Sequence, residues 1–134
     1  MKLRATHIDG FTEQLLRWTL EAQSGAAIVE ASWRGRNGHE EKIFEMVFPD
    51  SRIREISEAL ADLRSFYDGG VDDFPQFSMS TEIGSINRHV IVRAGVKWPP
   101  EDERFVDRFM QVWRPLSRDV ESLIKIPGRE RTCN

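Results

Sequence analysis

The sequence predicts an α+β fold in which an antiparallel sheet of about five to six strands packs against two helices as a two-layer sandwich. Several segments alternate apolar and polar residues with a period of two, which is typical of half-buried strands. Two other segments repeat apolar residues at steps of three and four, which is typical of amphipathic helices. Short turns separate the strand segments, so the predicted order is β-β-β-β-α-β-β-α.

The first third of the chain consists of predicted strands joined by tight turns. Residues 2–8 form a short strand, and residues 27–33 and 42–48 form a hairpin. Asn37-Gly38 lies in the hairpin turn and favours type I′, in which both central residues take positive φ. Residues 11–23 fit a helix or a strand, and the alternation in their second half favours a strand.

Two amphipathic helices are predicted in the rest of the chain. Apolar residues recur at helical spacing from Ile53 to Tyr67, and Gly69-Gly70 supplies a stop signal. A second apolar stripe follows Pro99-Pro100 and covers residues 105–123. Pro115 lies inside this stripe and lacks an amide hydrogen, so we expect a kink or two consecutive helices.

Two further strands are predicted between the helices. A loop over residues 71–75 is followed by alternation over residues 77–83. A turn at Gly84-Ser85 leads into the longest alternating segment, residues 89–98.

Length, charge and cysteine content restrict the class of protein. The 134 residues fit one domain, predicted over residues 1–126, with a flexible tail over residues 127–134. A net charge of −3 gives no basic stripe for nucleic acid or an anionic membrane. Cys133 is the single cysteine, which excludes an intramolecular disulfide. The polar first residues do not resemble a signal peptide, so we expect a cytoplasmic protein.

No motif of a known reaction is present in the sequence. It contains no HExxH, GxSxG, GxGxxG or Walker A pattern, and its three histidines are scattered. We therefore expect no catalytic site, no metal and no cofactor.

Two acidic clusters and one tryptophan are the candidate contact points for a partner. The acids after Pro100 suit the first turn of a helix, where negative charge interacts favourably with the helix dipole. The acidic loop after Gly70 carries an aromatic residue, and Trp98 is the tryptophan that we expect to be partly exposed, the others filling the core. The predicted partner-binding residues are Asp72, Asp73, Phe74, Trp98, Glu101, Asp102 and Glu103.

These features predict a non-enzymatic module that binds another protein of basic character, as a monomer or a homodimer. The overall plan is similar to that of small bacterial immunity proteins, which cover the surface of a toxin or effector domain. The order of elements is also similar to that of type III secretion chaperones, which would imply a dimer. A small-ligand carrier or enzyme, with a pocket between sheet and helix, is the remaining alternative. Ser80, Glu82, His89 and Arg93 would line that pocket.

Overall fold

The computed structural model describes residues 1–70 and 73–126 as an α+β fold, a seven-stranded mixed sheet with two helices. Asp72, Cys133 and the predicted tail lie outside the described residues. The elements in chain order are β1 (Lys2–Ile8), β2 (Arg17–Gln23), β3 (Ala26–Gly35), β4 (Gly38–Val47), α1 (Asp50–Leu60), β5 (Phe66–Asp68), β6 (Gln76–Ile83), β7 (Ile86–Arg93) and α2 (Pro100–Ile124).

The strand order across the sheet is β4-β3-β2-β1-β6-β7-β5, so β4 and β5 are the edge strands. Five of the neighbouring pairs are antiparallel, and β5 pairs with β7 in parallel. The predicted class is confirmed, but the count of five to six strands and the purely antiparallel sheet are wrong. The difference arises from β5.

The helical spacing of apolar residues predicts that the segment of β5 belongs to the first helix. Helix α1 instead ends at Leu60, and Asp62 takes a φ of 67°, which reverses the chain. Phe66–Asp68 then pairs with Ile91–Arg93. Tyr67 lies at helical spacing from Leu60, but it belongs to β5 and its side chain is buried. The periodicity alone therefore predicts a helix that is too long.

The β3–β4 hairpin is confirmed, whereas its predicted type I′ turn is wrong. The loop residues are Arg36 and Asn37, and only Gly38 has positive φ, at 104°. The φ signature of type I′ occurs instead between β2 and β3, where Ser24 and Gly25 have φ values of 54° and 85°. The ambiguous segment 11–23 is a loop followed by β2 from Arg17.

Both helices cover one face of the sheet, called here the inner face. Helix α2 crosses the strands: Trp113 stacks on Trp18 of β2 at 5.4 Å between ring centroids and on Phe77 of β6 at 4.9 Å. Near its end, the Leu123 carbonyl accepts a 2.8 Å hydrogen bond from Lys42 Nζ of β4. Helix α2 runs unbroken past Pro115, so the expectation of two consecutive helices is wrong.

The core lies between this face and the helices. Trp18 and Trp113 are fully buried there, whereas Trp33 and Trp98 are partly buried at its margin. Burial alternates along β1, β2 and β3, with every second residue exposed on the opposite, outer face. Neither helix within the described ranges has the length and apolarity needed to cross a bilayer.

Candidate functional site

The predicted contact residues Asp73 and Phe74 lie in the loop before β6. Both are exposed, and the Asp73 carbonyl accepts a 2.8 Å hydrogen bond from the Phe11 amide. A Cβ at Gly10 would overlap the backbone of Asp73, so the two loops are in close contact. This contact holds Phe74 beside the loop that follows β1.

The other predicted contact residues surround the start of α2. Glu101 and Glu103 are exposed in its first turn, whereas Asp102 is 6% exposed and its Oδ1 lies 2.9 Å from the Arg64 guanidinium. This ion pair with Asp102 raises the pKa of Arg64 above its ordinary value. Asp102 therefore anchors α2 to the segment after α1. Trp98 packs against the core margin.

These two groups are held by different elements. The Asp73–Phe74 loop contacts the loop after β1, and the first turn of α2 contacts the segment after α1. The described contacts do not combine them into one site.

The outer side of the β3–β4 hairpin is a more extensive surface. Its exposed apolar residues are Ile28, Ile43 and Val47, with exposed fractions of 49%, 69% and 80%. Glu30 lies opposite Ile43, and Glu45 lies opposite Ile28, at the Cβ spacing of directly facing residues in a sheet. The hairpin face consists of Ala26, Ile28, Glu30, Ser32, Glu41, Ile43, Glu45 and Val47.

The charge of the hairpin face is negative. Its eight residues include three glutamates and no lysine or arginine, and exposed Arg34 follows on the same side at the turn end. Glu41 lies 3.0 Å from His39 Nε2 at the turn end. On the next strand, Glu21 faces Ile28 but lies 3.7 Å from Arg4, and Arg17 faces Ser32, so the acidic surface is confined to the hairpin. The hairpin face therefore combines exposed apolar side chains with three glutamates.

Sequence reasoning missed this face, although β4 contains a signal for it. Ile43 and Val47 fall on one phase of the strand, whereas Phe44 and Met46 fall on the other. Because successive side chains in a strand point to opposite faces, one of the two apolar sets must point away from the core. Phe44 and Met46 pack against the core margin, so Ile43 and Val47 face solvent.

A hollow of about 440 Å³ adjoins the hairpin face on the outer side of the sheet. Ile28, Glu21 and Arg4 line it together with Ser80 and Glu82. His89 and Arg93 also lie on the outer side, because they alternate with buried Val90 and Val92. The polar residues proposed to line a pocket between sheet and helix therefore lie on the opposite side.

The His7–Asp9 pair combines two groups that occur in catalytic sites. His7 Nε2 lies 2.6 Å from Asp9 Oδ1, and Asp9 Oδ2 accepts hydrogen bonds from Thr12 Oγ1 and the Leu16 amide. Both side chains are almost fully buried, and the His7 ring stacks near Trp18, Phe77 and Trp113. Through Thr12 and Leu16, the pair ties the end of β1 to the loop that leads into β2.

Metal ligation has no geometric support in the described part of the chain, which holds no group of three or more His, Cys, Asp or Glu side chains placed around a common point. No protein-family model matches this chain, and no curated protein matches its sequence. The hairpin face is therefore the candidate site on geometry and charge alone.

Proposed function

We propose that this protein is a binding module that docks a basic partner protein on the hairpin face. The observation that carries this proposal is the exposure of three aliphatic side chains on neighbouring strands among glutamates. A group of exposed apolar side chains bordered by polar residues is a feature of protein interaction sites. Aliphatic residues supply contact area, and the surrounding charge selects the partner and speeds its approach.

The fold supports this choice of surface over the alternatives. The inner face is occupied by the helices and the aromatic core, and the side chains of His7 and Asp9 are almost fully buried. The outer face is supported from behind by a rigid core, so its residues are presented without a cost of ordering a loop.

Within this class, we propose an inhibitor that covers a basic surface of a bacterial toxin or effector domain. An acidic surface suits this role because catalytic clefts that handle phosphate substrates are basic. This narrower form predicts that the partner loses its activity in a one-to-one complex. A partner that stays active in the complex would contradict the proposed inhibition but not the proposed binding.

Site-specific crosslinking in the producing cell tests the proposed surface. A photo-crosslinking amino acid at Ile43 should capture one protein partner. The matched control is the same amino acid at Asn87, which is exposed on the outer side of the sheet but lies on β7. Capture at both positions, or at Asn87 alone, would contradict docking on the hairpin face.

The captured protein should then bind the purified chain directly. Reversing two charges in Glu30→Lys/Glu45→Lys should weaken the complex at least about tenfold, because the introduced lysines repel a basic partner. The affinity of the unaltered chain should fall as salt rises. Unchanged affinity in the charge-reversed variant would contradict the proposal.

A further inference from the structure

Among the described residues, no strand pairs with the free edge of β4. All ten residues of β4 pair with β3 without an unpaired residue, and in the described part of the chain β4 has a neighbour on that side only. An edge strand presents a row of backbone N–H and C=O groups that can pair with another strand. In the part of the chain that the structure describes, the sheet therefore ends in an unpaired strand of ten residues, whose alternate residues direct their backbone groups outward.

Features that shorten or interrupt an edge strand are missing from β4. Edge strands are usually protected by short length, bulges, proline or charged side chains, including charges that point inward. The strand is long, its register with β3 is continuous, and it contains no proline. Its one lysine, Lys42, points to the inner side, where its Nζ donates to the Leu123 carbonyl at 2.8 Å. The protection of β4 is therefore limited to charge: Lys42 is held at the end of α2, and Glu40, Glu41 and Glu45 repel an acidic strand rather than a basic one.

From this geometry we infer that β4 accepts an added strand from its partner. This inference rests on the proposed protein-binding function and gives its mode. The backbone of the partner would pair with the free edge, and its side chains would alternate between the two sides of the extended sheet.

The side chains of β4 specify the chemistry of that strand. On the outer side, the partner's residues would lie beside Glu41 and Glu45, which favour lysine or arginine, and beside Ile43 and Val47, on which the aliphatic stems of those side chains pack. On the inner side, they would lie beside Phe44 and Met46 at the core margin, which favour apolar residues, and beside Lys42, whose Nζ is already bonded to the Leu123 carbonyl. The occupant is therefore an extended segment in which basic and apolar residues alternate.

A second copy of this chain is a poorer occupant than such a segment. In a symmetric antiparallel pairing centred on Ile43, Glu41 would lie opposite Glu45 twice. Centring the pairing on Lys42 would place the two Lys42 residues opposite each other. These two registers pair the most residues of β4, and like charges directly opposite each other destabilise a sheet.

A model peptide tests strand addition without the natural partner. The probe is a nine-residue peptide that alternates lysine and valine, and we expect the unaltered chain to bind it. Two further versions carry N-methyl groups on the lysine amides or on the valine amides, because alternate amides of a strand point to the same side. At least one version should bind about tenfold more weakly, since methylation removes several backbone hydrogen bonds.

Charge exchange provides the matched control. A peptide alternating glutamate and valine should not bind the unaltered chain, and it should bind the variant Glu41→Lys/Glu45→Lys. The lysine–valine peptide should show the reverse preference. A glutamate–valine peptide that binds the unaltered chain as tightly as the lysine–valine peptide would contradict the assigned chemistry.

Two results would overturn strand addition. One is the absence of binding by the unmethylated lysine–valine peptide, and the other is equal affinity of all three methylation states. In either case, the crosslink at Ile43 still decides the proposed function. A positive crosslink with a negative peptide result would mean that the partner docks through side chains alone. The absence of a crosslinked partner at Ile43 would contradict the proposed binding surface.

Discussion

The two edges of the sheet differ in how they end. At one side, β5 is three residues long, Tyr67 anchors it in the core, and the Asp68–Arg93 ion pair joins it to β7. At the other side, β4 is ten residues long, almost entirely exposed and continuous with an apolar, acidic face. One edge strand is therefore short and anchored, whereas the other is long and exposed. We therefore expect substitutions at β5 to reduce stability, and substitutions at β4 to reduce binding.

The largest effect on stability is expected at Tyr67. Its ring is buried, and its hydroxyl oxygen accepts a 2.9 Å hydrogen bond from the Arg64 amide. Tyr67→Ala should lower the free energy of unfolding by about 3–5 kcal/mol, because it leaves a cavity and an unpaired amide. Chemical denaturation measures this loss. The neighbouring change Phe66→Ala should cost no more than about 1 kcal/mol, and equal losses would contradict the anchoring role.

A smaller effect on stability is expected beside β5, where the backbones of Gly69 and Gly95 are in close contact. A Cβ at Gly95 would overlap the backbone of Gly69, which cannot move without displacing the strand. Gly95→Ala should therefore lower the free energy of unfolding by about 1–3 kcal/mol. The control at the open edge is Gly35→Ala, whose Cβ would meet only the side chain of Glu40. Thermal unfolding should show a smaller loss there, and the opposite ranking would contradict this prediction.

The ion pair at β5 should make stability depend on pH. Hydrogen bonds from Arg93 and from the Gly70 amide lower the pKa of Asp68 below its ordinary value of 3.8. A carboxylate with a lowered pKa in the folded state stabilises above its unfolded pKa and loses this effect as pH falls. Asp68→Asn should therefore reduce stability at neutral pH, and the difference from the unaltered chain should vanish as pH falls from about 5 to 2. A constant difference across this range would contradict the ion-pair contribution.

The smallest effect on stability is expected at the open edge. Ile43→Ser should change the free energy of unfolding by no more than about 0.5 kcal/mol, because the side chain already faces solvent. The same change should weaken partner binding by about tenfold or more, since an apolar residue at the centre of an interface carries much of its energy. Denaturation and binding titrations on one preparation measure both. A variant that loses stability but keeps its affinity would reverse the assignment of the two edges.

Local patterns in the sequence predicted most elements but not the strand order. Alternation located six of the seven strands, and helical spacing located both helices. The strand β5 was missed because Tyr67 continues the spacing of α1, whereas the reversal at Asp62 depends on the pairing with β7. The edge position of β4 was also unpredictable. It follows from the pairing of β6 with β1 rather than with β4, which local patterns do not reveal.

The candidate site was harder to predict for a similar reason. Glu101, Asp102 and Glu103 are equivalent as a sequence pattern, but consecutive helical residues differ in direction by about 100°. Asp102 alone turns toward Arg64. The two apolar phases of β4 were visible in the sequence. Which of them faces the core is decided by the packing of α2 against the inner side.

Residue-resolved hydrogen exchange of β4 tests the central claim most directly. In the free chain, the amides of β4 that bond to β3 should exchange slowly, and the alternate amides at the open edge should exchange quickly. On binding the lysine–valine peptide, the edge amides should slow by about tenfold or more while those of β5 stay unchanged. Binding that leaves the edge amides of β4 fast, or that slows β5 instead, would contradict the account.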